Sequence, residues 1–223
     1  MEYNIICEGS YPALEVTLNP GDTLVSEAGA MAWMDTSIQA KTSARGGIGG
    51  ALKRGLLGGE SFFQNEYTTT QAGAKITLVS GQPGYIRATD MEGENLMLER
   101  GAYLASTPDV VVDSKFQGLK KMFAEGMFVL TASGSGTLFW NAYGDIQQVD
   151  VAGEYIVDNG YAVAWDASLD YDVTRSGRKI RAFLFGDQLV MKFRGHGRVW
   201  VQSRSARALA SWIYPYRRVQ NKG

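Results

Sequence analysis

An all-β domain built from three related antiparallel units is what this sequence predicts, and three observations carry that expectation. One phrase recurs. A strand opens at Gly21-Asp-Thr-Leu24-Val-Ser26, again at Gly101-Ala-Tyr-Leu104-Ala-Ser106 and again at Gly160-Tyr-Ala-Val163-Ala-Trp165, each followed by an aspartate, Asp35, Asp113 or Asp172. The phrase continues as Leu52-Lys53-Arg54, Leu119-Lys120-Lys121 and Lys179-Ile-Arg181, with Arg54, Lys121 and Arg181 each five positions before a second glycine, Gly59, Gly126 or Gly186. Gly101 to Gly160 is 59 positions and Gly126 to Gly186 is 60, the self-similarity of a duplicated supersecondary unit. The second observation is a series of short β-branched and aromatic runs at even spacing. The third is how little helical periodicity the chain contains.

The elements follow in order. Repeat one runs over about residues 13–91, repeat two over about 94–150 and repeat three over about 151–204, with 205–223 as a closing segment, all within one domain, 1–223. Copy one is longer, because Asp35 to Gly59 is 24 positions where the other copies use 13 or 14. Strands are predicted at Val110–Val112, Phe128–Leu130, Leu138–Trp140, Tyr155–Val157, Leu189–Met191 and Val199–Val201, each bounded by Gly, Asp, Asn or Ser. A spacing of roughly ten residues points to a sandwich or barrel. Gly134-Ser-Gly136 and Gly195-His-Gly197 read as hairpin turns, since glycine supplies the positive φ such turns require. Two short helical turns are expected, at Lys115 to Phe123 and at Ser205 to Trp212, the latter with Ser205 as its N-cap.

Composition narrows the chemistry. A chain of 223 residues that is 45% apolar can bury a sizeable core, and nowhere do 18 apolar residues run together. Met1 to Tyr11 carries Glu2 and Glu8 without a long apolar run, so no signal peptide is expected and a cytoplasmic location is predicted. Cys7 is the single cysteine and His196 the single histidine, which argues against a disulfide, a Cys-rich metal centre and Cys/His nucleophilic catalysis. His196 is placed at a solvent-facing hairpin tip. No Gly-x-Ser-x-Gly elbow is present. Asp170 and Asp172 could pair as acid and base, but they recur at a loop position of the repeat, which favours turn chemistry. The glycines of Gly46 to Gly59 lack the Gly-Lys-Ser or Gly-Lys-Thr of a phosphate loop. No catalytic residue, cofactor or metal is therefore predicted.

What remains are candidate contact surfaces. In the glycine-rich insert, Ile48, Leu52, Leu56 and Leu57 stand at helix-like spacings around Lys53 and Arg54, a pattern suited to a partner subunit or a lipid interface. Eight of the chain's 22 Lys and Arg lie after Asp187 and none of its 23 acids do, leaving −9 up to and including that residue and +8 after it. Such a tail can neutralise its own body, a neighbouring subunit or an anionic surface; nucleic acid ranks last because the whole chain is acidic, with pI near 5.9. Trp212, Tyr214 and Tyr216 either cap the chain's own core or bury themselves in an assembly.

Three segments carry a family resemblance: Ser26-Glu-Ala-Gly-Ala-Met-Ala-Trp-Met34, Gly58-Gly-Glu-Ser-Phe-Phe-Gln-Asn65 and Ser211-Trp-Ile-Tyr-Pro-Tyr216. In this order they resemble the signature segments of the altered inheritance of mitochondria family. The resemblance implies a fold like that of the tryptophan RNA-binding attenuator, a β-sandwich or double-stranded β-helix unit in three pseudo-symmetric copies. It also implies, for the mitochondrial branch, a part in inner-membrane architecture rather than catalysis. Pseudo-symmetry would gather Arg54, Lys121 and Arg181 at one end of the molecule. The expected function is a non-catalytic scaffold that self-assembles as a trimer or a multiple of it, with peripheral contact to an anionic membrane. The alternative is a small-ligand binder or enzyme using a groove between repeats, for which the sequence names no ligand.

Overall fold

A computed structural model describes residues 1–7, 9, 11–44, 63–113, 129–175 and 189–217. Side-chain alternation decides where its strands lie. In Ala13–Leu18, Leu14, Val16 and Leu18 are fully buried while Glu15 and Thr17 face outward, the period-2 signature of a sheet with one wet face. The described residues form β1 (Glu2–Ile6), β2 (Ala13–Leu18), β3 (Thr23–Glu27), β4 (Met31–Met34), β5 (Ile38–Ala44), β6 (Phe63–Thr69), β7 (Ala74–Val79) and β8 (Gly84–Glu92). They continue with β9 (Leu96–Glu99), β10 (Tyr103–Ser106), β11 (Val110–Asp113), β12 (Val129–Tyr143), β13 (Ile146–Asp158), β14 (Ala162–Asp166), β15 (Asp170–Arg175) and β16 (Leu189–Gln202). One helix, α1 (Ala206–Ile213), follows. The all-β class holds.

Strands β1, β2, β7 and β4 make a four-stranded antiparallel sheet in that order. The remaining twelve form a second sheet, β13-β16-β14-β9-β12-β10-β3-β6-β5, with β8 and β11 also on β12 and β15 also on β16. A common pairing appears at three places. β3 and β5 both pair with β6, β10 and β11 both pair with β12, and β14 and β15 both pair with β16.

The two Gly-x-Gly segments are not hairpin tips; they bend single long strands. Residues 129–134 of β12 pair with β9 and β11, whereas residues 135–143 pair with β8, so the strand must change direction without reversing. Gly134 and Gly136 make that change at φ of 101° and 135°, in backbone that a side chain rarely adopts. In β16 the bend at Gly195, φ 114°, faces Gly153 of β13, φ 106°, so the two strands bend together and stay in register. Phe128–Leu130 and Leu138–Trp140 therefore belong to one strand, with Phe128 outside the described residues, and Leu189–Met191 and Val199–Val201 belong to another. His196 is corrected with them, from a turn to a strand position opposite Ala152, where it is exposed. Asp170 and Asp172 also lie in a strand, β15, opposite Arg194 and Lys192, because pairing with β16 extends through them. Lys115 to Phe123 lies outside the described residues.

Three groups of buried side chains fill the interior. Leu14, Leu78 and Phe139 belong to one, Leu98, Trp140 and Trp200 to the second, and Trp165, Met191 and Phe193 to the third. Trp140 is fully buried, donates its indole N–H to Thr89 at 3.0 Å and meets Trp200 edge to face at 6.1 Å between ring centroids. Phe139 and Trp140, adjacent on β12, point into different groups, so that strand joins two of them.

A Cβ at Gly136 would strike the Thr107 hydroxyl, whereas one at Gly153 would meet nothing within 4 Å. Gly136→Ala should then cost more than Gly153→Ala, which carries only the backbone penalty of about 1–3 kcal/mol. Thermal unfolding of the two variants checks this: equal losses would show that the β12 bend is not crowded.

Candidate functional site

Ser205, the residue that caps α1, is buried, and its hydroxyl accepts a hydrogen bond from the Ala208 N–H at 3.4 Å. The chain leading to it is firmly held. Gln202 reaches the Tyr143 N–H through Oε1 and the Gly160 carbonyl through Nε2, Ser203 Oγ accepts from the Asp145 N–H, and the Arg204 N–H donates to the Tyr143 carbonyl. A Cβ at Gly160 would lie 2.9 Å from Ser205 Oγ, so a glycine is what lets the helix root sit there. Beyond this root none of the described residues is buried. No residue of α1 is, and the helix packs mainly on the 3-10 turn Tyr214–Tyr216 that follows it.

The apolar face of this segment is therefore open. Trp212, Tyr214 and Tyr216 are 66%, 62% and 77% exposed, and Leu209 and Ile213 are exposed beside them. The sequence left two destinations open for these aromatics, and no described residue of the chain's own core covers them. Trp212 and Tyr216 stack loosely, 6.0 Å between centroids, and the Arg217 guanidinium lies 3.4 Å above the Tyr214 ring. A lone apolar helix face in water is costly, and contiguous patches of this kind mark contact surfaces.

Register explains the fate of the cations. Lys192 and Arg194 on β16 meet Glu154 of β13 at 2.7 and 3.2 Å, Arg194 also meets Asp172 of β15 at 2.6 Å, and Arg198 meets Asp166 at 2.9 Å. Lys192 first, then Arg194, hold the Glu154 carboxyl below its usual range. These pairs are at least partly open to solvent and contribute little net stability. Their effect is on charge, because they take up Lys192, Arg194 and Arg198, whereas Arg207 within α1 and Arg204 and Arg217 flanking it stand exposed.

A second open surface adjoins the helix. β13 pairs along its whole length with β16 and, among the described residues, with no other strand. Toward its C-terminal end, where the Gly160 that follows it meets Ser205 at the helix root, Tyr155 and Ile156 are 41% and 59% exposed. Sequence reasoning found the strand but not the edge, since nothing local tells an edge strand from a central one. The other predicted contact residues, Ile48, Leu52, Lys53, Arg54, Leu56, Leu57, Lys121 and Arg181, lie outside the described residues.

Residues 3–204 match the family model described as mitochondrial biogenesis AIM24. The chain belongs to that family. The matched segment ends at Arg204, so residues 211–216 fall beyond it. An uncharacterised protein of Streptococcus pyogenes serotype M6 is 29% identical over 226 residues, covering 97% of this chain and 91% of that protein. A crystal structure of a Streptococcus pyogenes protein superposes with a TM-score of 0.81 at 27% identity, covering 97% of this chain and 99% of that one.

Two interior features of this AIM24-family chain bear on chemistry. Gln64 of β6 stands opposite Glu27 of β3, is 1% exposed and donates through Nε2 to Tyr103 Oη at 3.3 Å, while its Oε1 has no partner. Glu27 is half-buried. Burial, then the charge of Glu99, push its carboxyl up to about 7 against the opposing pull of Arg100. Burial also raises Glu99, although the Gly101 N–H, at 2.9 Å from Glu99 Oε2, and Arg100 oppose it. A groove of about 300 Å³ lies elsewhere, lined by residues 11–12 and 79–86. Among the described residues, tyrosine is the only ionisable type on its walls. Among the described residues no three His, Cys, Asp or Glu side chains are grouped to hold a metal ion, and no helix is long and apolar enough to cross a membrane.

A raised carboxyl pKa fixes a sign. The folded state holds a proton on Glu27 that the unfolded chain releases near 4.5, so stability falls as pH rises from about 4.5 to about 7. Glu27→Gln should match wild type near pH 4.5 and unfold at a higher temperature than wild type at pH 8. A difference in Tm that does not change with pH would contradict the buried carboxyl.

Proposed function

We propose that this protein is a non-catalytic β-scaffold that assembles with copies of itself, with α1 and the Tyr214–Tyr216 turn as the docking element. The observation that carries the reading is the contrast at residue 205: a root fixed by a buried cap, then a helix with no buried residue and five large apolar side chains in solvent. A loosely held tail would not need such a root. Each aromatic can bury roughly 150–250 Å² on docking, which makes the segment a natural hot spot. Charge supports a second copy as the partner, because Arg207 in the helix and Arg204 and Arg217 on either side of it are exposed while the chain up to and including Asp187 carries a net −9.

The three-unit, attenuator-like arrangement belongs to the same proposal, supported by the pairing of β3 and β5 with β6, β10 and β11 with β12, and β14 and β15 with β16. Contact with an anionic membrane would then be a property of the assembled scaffold and would be screened by salt.

Light scattering of the full chain tests the assembly. Wild type should run as an oligomer, and Trp212→Ala/Tyr214→Ala/Tyr216→Ala should lower its mass by a whole number of subunits without changing its circular dichroism. A mass unaffected by the triple change would contradict the reading.

A further inference from the structure

One helix face is too small to hold two copies together. Its three aromatics supply roughly 450–750 Å², while a stable interface buries about 800 Å² on each partner. The area that is missing has to come from a surface near α1.

Contacts put the groove lined by residues 11–12 and 79–86 beside the helix root. On its wall, the Pro83 carbonyl accepts from the Gly144 N–H at 3.1 Å, and Gly84 forms a β-bridge with the same glycine. Gly144 in turn lies against the root, because a Cβ there would strike Ser203 Oγ and come within 3.1 Å of Arg204 Cγ. One residue separates groove wall from root.

Resting on the self-assembly reading, we infer that residues 212–216 of one copy seat in this groove of a second copy, and that the exchange is reciprocal. Size, polarity and area all lead to that occupant. Ligand pockets run from about 300 to 1,000 Å³, so a groove of about 300 Å³ suits one or two side chains rather than a cofactor. Its walls carry Tyr11 and Tyr85, 75% and 47% exposed, together with Pro12 and Pro83, and offer a charged ligand no counter-charge. Trp-Ile-Tyr-Pro-Tyr, residues 212–216, is uncharged and holds the most exposed aromatics of the helix end. Aromatic rings entering a tyrosine- and proline-walled groove pair one set of hot-spot residues with another. Arg207 and Arg217, on either side of the segment, then stay at the wet rim.

Area decides the symmetry. A single seated segment falls short of 800 Å² on each side, as would a head-to-tail contact that buries one helix face. Two segments exchanged across a two-fold axis bury a helix and a groove on each copy, roughly 900–1,500 Å², since a groove loses about as much surface as the segment that fills it. The short distance from root to groove is what lets one axis serve both contacts.

Gly81 supplies the probe. It lines the groove, its φ is outside the left-handed region, and a Cβ there would meet nothing within 4 Å. Gly81→Lys therefore adds a long cationic side chain at the groove without straining the fold, and it should lower the assembled fraction at least tenfold by light scattering with circular dichroism unchanged. In a Cys7→Ser background, Gly81→Cys chains and size-tagged Ser211→Cys chains are mixed where wild type is oligomeric and treated with a short bismaleimide. The expected product joins one chain of each kind. An oligomer that gives no such product and tolerates Gly81→Lys would overturn the groove contact and leave helix-mediated assembly standing. A chain carrying both cysteines that links to itself at monomer mass, whatever its concentration, would overturn it too, because the helix would then fill its own groove. A wild-type chain that is monomeric at every concentration, including one that sediments only with anionic phospholipid vesicles, would overturn both readings.

Discussion

Strand β16 is the constraint on which the rest of the structure depends. One of its edges pairs with β13 through thirteen consecutive partners, from Val190 opposite Asp158 to Gln202 opposite Ile146. The other edge is shared by β15 and β14, which it meets on either side of the Gly195 bend. Met191, Phe193, Val199 and Trp200 carry it into two of the three buried groups. Its last residue, Gln202, ties the Tyr143 and Gly160 backbones together and so fixes where the helix leaves the sheet. Core packing, the ion-pair ladder and the placement of the exposed helix all follow from one strand in one register. A one-residue slip would turn its buried face outward.

Much of this was legible in the sequence, and the parts that were not share a cause. The β class followed from β-branched and aromatic runs, and α1 followed from a serine cap ahead of an alanine-rich stretch. Gly134-Ser-Gly136 and Gly195-His-Gly197 misled because positive φ serves a bend as well as a reversal. Which of the two forms depends on whether partner strands wait on both sides, and that is a long-range property. Charge shows the same limit. The basic excess after Asp187 was plain, but only register shows that Lys192, Arg194 and Arg198 meet Glu154, Asp172 and Asp166 while Arg204, Arg207 and Arg217, in and beside the helix, are exposed. The pairing of Glu27 with Gln64 had no local signal at all, since a glutamate in a strand reads as a solvated residue until its neighbours are known.

The site divides between what the fold holds rigid and what it leaves open. Hydrogen bonds at Gln202, Ser203 and the buried Ser205 hold the helix root; Leu209, Trp212, Ile213, Tyr214 and Tyr216 are left in solvent. Family membership and the likeness to the streptococcal chains fix the architecture, with 97% of this chain covered in each case. Function is argued from the open surfaces. The same strand that organises the core presents, through its neighbour β13, the longest unpaired edge among the described strands.

Amide hydrogen exchange across a dilution series tests that account most directly, because a docked helix and a free one differ in the very backbone groups it reads. At high protein concentration the amides of α1 should exchange slowly, and on dilution they should speed up while β12 and β16 keep their protection. Exchange in α1 that is fast and independent of concentration would contradict the central claim.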